Sequence, residues 1–143
     1  MRNADVGSHD AYGKEVLRAA AGQAFIDWGP TVEVDYGAGR PARVDGTVSG
    51  TIAVEVESRT SKQVRGAVLD LLFHPYPKKL LVLVPMHMSD SGICADQCRR
   101  ALGRFVDEDN FRVVVLQGTG RRTNLDGDAR LVRLVLNELG FKT

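Results

Sequence analysis

Along residues 52–57 the chain alternates strictly: Ile52, Val54 and Val56 fall on one side, Ala53, Glu55 and Glu57 on the other. Period-two alternation predicts a strand with one buried face. A second short apolar run precedes it, and Ser49-Gly50 between the two supplies a turn, so a hairpin is predicted over 42–57. Thr31 to Tyr36 predicts an earlier strand with Val32 and Val34 inward. Apolar residues at helical spacing predict four helices. They run Gly13 to Trp28 (Val16, Leu17, Ala20, Ala24 and Phe25 inward) and Ser58 to His74 (Val64, Ala67, Val68, Leu71 and Leu72). The others run Asp90 to Val106 (Ile93, Ala101, Leu102 and Phe105) and Asp126 to Leu139 (Leu131, Leu134, Val135 and Leu139). Lys78 to Pro85 and Phe111 to Gln117 read as near-continuous apolar strands, the kind covered on both faces.

Punctuation supports these limits. Gly29-Pro30 ends the first helix, and Ser58, Thr60 or Ser61 caps the second. His74-Pro75-Tyr76-Pro77 breaks the second helix, and Gly140 serves as C-cap of the last. The order α-β-β-β-α-β-α-β-α predicts an α/β fold, a central mixed sheet flanked by helices. Residues 1–12 are polar and read as a flexible arm, and 13–143 as one domain.

Composition changes little. At 143 residues and 43% hydrophobic, the chain suits one globular domain with a core. No run approaches 18 apolar residues, and Met1 to Gly13 resembles neither a signal nor a transit peptide, so no membrane association and a cytoplasmic location are expected. Cys94 and Cys98 read as small buried thiols rather than metal ligands. The net charge of +1 is neutral on the question of nucleic acid. Gly37-Ala38-Gly39-Arg40-Pro41 opens no helix and holds no lysine, so it is not a phosphate loop, and no organic cofactor is expected.

The chemistry concentrates on the hairpin. Glu55 and Glu57 stand on one face of one strand, about 7 Å apart, and Asp45 lies ten residues before Glu55. Three converging acids repel one another, and a hard divalent cation with oxygen ligands, such as Mg²⁺, would remove the repulsion. Everything depends on register. A two-residue turn at Ser49-Gly50 puts Asp45 opposite Val54, away from the glutamates. A three-residue loop or a bulge puts it opposite Glu55, and that odd register is the expectation here.

Asp45, nine intervening residues, then Glu55-Val56-Glu57, after a helix bearing Glu15, resembles the PD-(D/E)xK nucleases, which include restriction endonucleases and archaeal-type Holliday junction resolvases. The resemblance covers roughly residues 13–85 and implies the restriction-endonuclease-like αβββαβ core, here with a βα extension. It departs in two places: Val44 rather than proline precedes Asp45, and Glu57 stands where the lysine usually does. It implies a Mg²⁺-dependent DNA endonuclease that would tolerate Mn²⁺, with Asp45 and Glu55 as metal ligands. Glu57 would ligate a second metal or orient the attacking water, and Glu15 would reach the metal site directly or through water. Lys62 or Arg65 would supply the positive charge absent at position 57. A homodimer would be needed to cut both strands.

Arg121 and Arg122, in the loop Gly118–Asn124, could grip phosphates or read guanine, or be plain surface. His87 reads as an ordinary loop residue. The reading from another class is a non-catalytic nucleic-acid-binding protein or partner subunit that retains the nuclease fold.

Overall fold

The computed structural model describes residues 4–59, 62–118 and 122–142. Helix α1 (Ala4–Ala21) leads through a short 3-10 turn into β1 (Phe25–Ile26). Next come β2 (Glu33–Val34), β3 (Ala42–Arg43), β4 (Gly46–Val48) and β5 (Ile52–Arg59). The second half alternates: α2 (Lys62–Phe73), β6 (Lys78–His87), α3 (Ser91–Gly103), β7 (Phe111–Val115) and α4 (Leu125–Glu138). Five strands form the central sheet in the order β1-β4-β5-β6-β7. The β1–β4 and β4–β5 pairs are antiparallel, and β5–β6 and β6–β7 are parallel. The fold is therefore α/β with a mixed central sheet, as the element order predicts.

Two hydrophobic layers sandwich the sheet. Ile52, Val54 and Val56 of β5, with Leu80, Val82 and Val84 of β6, pack under α1 and α4. Ala53, Leu81 and Leu83 point the other way, toward α2 and α3. β6 is buried on both faces, as its unbroken apolar run requires.

Five expectations are corrected. Residues 4–12 are not an arm but the first half of α1, and Tyr12 is a core residue. Tyr12 lies one turn before Val16 and extends the stripe Val16, Leu17 and Ala20. The stretch before it has no apolar periodicity to reveal a helix. α1 also ends early, at Ala21, because Gly22 takes the left-handed conformation (φ +60°); Phe25 is buried from a strand instead, and Trp28 is exposed.

The hairpin over 42–57 is divided between two sheets. β3 pairs with β2 in a separate two-stranded sheet, and only β4 and β5 belong to the central one. In α3 the buried stripe is Cys94, Ala95, Cys98 and Leu102, while Ile93 and Phe105 face solvent. Small residues let the helix lie close to its neighbours, and the thiols are buried as expected. In α4, Ala129, Val132 and Leu136 face inward and Leu134 is exposed. Of the expected stripe, Leu139 is buried and Leu131 and Val135 pack partly against the core, so the face is rotated toward Ala129 and the buried Asp128 rather than replaced. The end of α4 follows expectation. Gly140 (φ +101°) donates to the Asn137 carbonyl and Phe141 to that of Leu136, the paired bonds of a Schellman cap.

Candidate metal-binding site

The β4–β5 connection sets the site. Val48 pairs with Ile52 and Gly46 with Val54, which leaves three residues in the loop. Ser49 (φ +57°) and Gly50 (φ +68°) both take left-handed backbone there. Carried one residue further, this odd register brings Asp45 opposite Glu55. Two hydrogen bonds tie them: the Asp45 amide donates to Glu55 Oε1 (2.9 Å) and the Val56 amide to Asp45 Oδ2 (2.7 Å).

Asp45 sits where the chain passes from the small sheet to the large one. Behind it the Val44 amide donates to the Val32 carbonyl (2.9 Å). Ahead of it Gly46 has Phe25 packed on its Cα, so close that an added Cβ would lie 2.2 Å from a ring carbon. A glycine is required at that approach, and it holds Asp45 at the start of β4.

Glu55 is buried, and its proton is held far more tightly than usual, with the pKa raised to about 10. Burial is the largest cause, followed by the negative charges of Asp45 and Asp70. Asp70, on α2, is a site residue that the sequence reading missed. Its carboxylate accepts a hydrogen bond from the Tyr36 hydroxyl. The Tyr36 hydroxyl is in turn raised well above the ordinary tyrosine range, by burial first and then by Asp70 and Glu55. One signal was present in the sequence: Asp70 is an acid inside the apolar run Val68-Leu69-Asp70-Leu71-Leu72. Tyr36 gave none beyond its place at the end of an alternating stretch.

Glu57 shares the face of Glu55 but is engaged elsewhere. Its Oε2 accepts from the amides of Ser58 (3.0 Å) and Arg59 (2.8 Å) and from Arg59 Nε (3.2 Å). The carboxylate thus folds back on the end of its own strand, where the β5–β6 register shifts between Glu57 and Arg59. Its charge reaches toward α3, where it helps burial raise the Cys94 thiol.

The remaining candidates scatter. Glu15 stands on α1, in the opposite layer from the face carrying Glu55 and Glu57, and its charge bears on Tyr12. Arg65 is exposed on α2 and lines a groove of about 610 Å³ between α2 and α3, together with Ser89, Cys94 and Gln97. Lys62 opens α2, but its side chain lies outside the described residues, as do Arg121 and the side chains of Arg122 and His87. The expected caps Thr60 and Ser61 also lie outside them, and Ser58 is buried at the end of β5.

Among the described residues no group of three or more histidines, cysteines or acids could hold a metal ion. Asp45 and Glu55 nonetheless offer two facing carboxyl groups, all hard oxygen donors. That set fits Mg²⁺, which is commonly bound by one or two carboxylates together with substrate phosphates rather than by an all-protein cage. A cation there would take the place of the proton that now separates the two charges. No helix among the described residues is long and apolar enough to cross a membrane. The chain matches no protein-family model, no curated protein and no solved structure.

Proposed function

We propose that the protein is a Mg²⁺-dependent DNA endonuclease of the restriction-endonuclease-like fold, with Asp45 and Glu55 as its metal ligands. The observation that carries this reading is a buried glutamate on the central strand, set against an aspartate by the odd hairpin register and charged only above about pH 10. Burying two facing acids costs stability unless a cation or a proton joins them. Topology adds support. With the small β2–β3 sheet set aside as an insertion, α1, the antiparallel run β1-β4-β5, the crossover α2 and the parallel β6 are compatible with the αβββαβ order that the resemblance implies.

When bound, the cation would lower the pKa of a water and polarise a phosphoryl oxygen. The chain's own part is to hold Asp45 and Glu55 on rigid strands and to bury Glu55 away from competing water. Lys62 and Arg65, at the start of α2, are the candidates for the charge that a lysine at 57 would supply. Cutting both strands of a duplex calls for a homodimer, and cytoplasmic DNA is the expected target.

A specific observation favours a second reading. The position of the usual lysine is held by Glu57, and Glu57 is satisfied by Arg59 and two amides of its own strand. A protein that keeps the fold and binds nucleic acid or a partner subunit without cutting would show this arrangement. Calorimetric titration with Mg²⁺ and Mn²⁺, on wild type and Glu55→Ala, beside plasmid cleavage, separates the two. Metal binding lost in the variant, with cleavage also lost in Asp45→Asn, is the expected result. Metal binding without cleavage of plasmid or four-way junctions would favour the second reading. Binding unaffected by Glu55→Ala would overturn the site. Cleavage of a palindromic duplex at one sequence would indicate a restriction enzyme, and preference for four-way junctions a resolvase.

A further inference from the structure

Among the described residues β7 ends the central sheet and pairs with β6 alone. The Leu116 amide donates to the Leu83 carbonyl of β6. Backbone groups in a strand alternate sides, so residues 112, 114 and 116 bond inward. Residues 111, 113 and 115 turn their amides and carbonyls toward the open edge. That edge gives onto a groove of about 1140 Å³ between α3 and α4, lined by Arg99, Val113, Val115, Leu131 and Val135 among others.

Two of the outward carbonyls are occupied. Arg99 Nη2 donates to the Val113 carbonyl (2.9 Å), and Arg112 Nη1 donates to the carbonyls of Phe111 (2.8 Å) and Glu108 (3.0 Å). Both guanidinium groups are also anchored by acids, Arg99 on Asp96 (2.9 Å) and Arg112 on Glu138 (3.0 Å). An incoming strand would have to break these charge-assisted bonds before it could form its own.

The partner that such an edge would otherwise take is a second copy of the same strand. Phe111-Arg112-Val113-Val114-Val115 is β-branched and aromatic, without glycine or proline, the composition of an edge that templates its own kind. The groove carries both signs of charge, and a two-fold antiparallel contact centred on Val113 would set like segments against each other. We propose that Arg99 and Arg112 lock the β7 edge against pairing with β7 of another copy, so that any assembly of the chain forms through a different surface.

The test is sedimentation velocity over a concentration series for wild type, Arg99→Ala/Arg112→Ala, and a control, Arg100→Ala/Arg104→Ala, which loses the same charge from exposed positions of α3 and its end. The double variant at 99 and 112 is expected to associate at a concentration at least on the order of a hundredfold lower than wild type or control, since two charge-assisted bonds in each copy need no longer be broken. Adding Val113→Pro should return it to wild-type sedimentation, because the Val113 amide faces the open edge and makes no ladder bond. Association equal to that of wild type, or association that survives the proline, overturns the proposal. If circular dichroism shows the double variant unfolded, Arg99→Ala alone should shift association the same way by about tenfold. Wild-type behaviour of that folded single variant overturns the proposal equally.

Discussion

The two faces of β5 carry the same alternation but do different work. Toward α1 and α4 it presents Ile52, Val54 and Val56, all in the core. Toward α2 and α3 it presents Ala53, Glu55 and Glu57, and both glutamates are buried nearly as deeply as the valines. An alternating strand would ordinarily put its polar side in water. Here helices cover both sides, so the acids are enclosed, and each finds a different way to tolerate it. Glu57 is satisfied by Arg59 and backbone amides; Glu55 keeps a proton. The first is an acid paired within the fold, and the second is an acid that burial and neighbouring charge keep protonated.

The harshest way to break this contrast is to place an acid on the other face. Val54→Glu would set a carboxylate in the apolar layer with no cation or amide arranged for it. A loss of more than about 4 kcal/mol is expected, read by urea denaturation. Next is pH. Glu55 has a folded-state pKa of about 10 against an ordinary value of 4.5. The folded chain therefore keeps a proton that the unfolded chain releases. The contribution is full below about pH 4.5 and is lost as pH rises through about 10. Without divalent cations, stability should fall between pH 5 and 9 by up to about 1.4 kcal/mol per pH unit. Glu55→Gln should flatten that slope, and Mg²⁺ should reduce it in wild type but not in the variant; a slope equal in both would refute the assignment to Glu55.

A smaller effect is expected at the edge of the acid pair. Tyr36→Phe removes the hydroxyl that donates to Asp70 and should cost about 1–2 kcal/mol in thermal or urea unfolding. The smallest is Arg59→Ala. Arg59 is half exposed and the amides of Ser58 and Arg59 remain on Glu57, so the expected loss is below about 1 kcal/mol and shrinks further in high salt. A larger loss would mean that Glu57 depends on its cation as Glu55 depends on its proton.

How far the sequence was legible varied with the kind of signal. Alternation at 52–57 located β5 and both glutamates, and the order of elements gave the layered α/β sheet. The register was readable as a choice between two, and Gly50 with Ser49 in left-handed backbone supplies the wider loop. Helix rotation was not readable where apolar residues surround the helix, as in α4, because the choice of stripe is made by tertiary packing. Tyr36 and Asp70 were missed for a related reason. They come from a loop and a helix 34 positions apart, and only the packing of α2 on the sheet brings them beside Glu55.

Tyr12 donates to Asp128 (2.5 Å), and that carboxylate also receives the amides of Gln117 (2.8 Å) and Gly118 (3.0 Å). The chain thereby ties α1, the segment that follows β7 and α4 to one buried acid, across 116 positions of sequence. During synthesis α1 is complete before β5, β6 and α4, the elements its apolar stripe packs against, so the stripe is covered in stages, by the sheet first and by α4 last. A contact of such sequence separation raises the contact order of the fold, which favours slower folding.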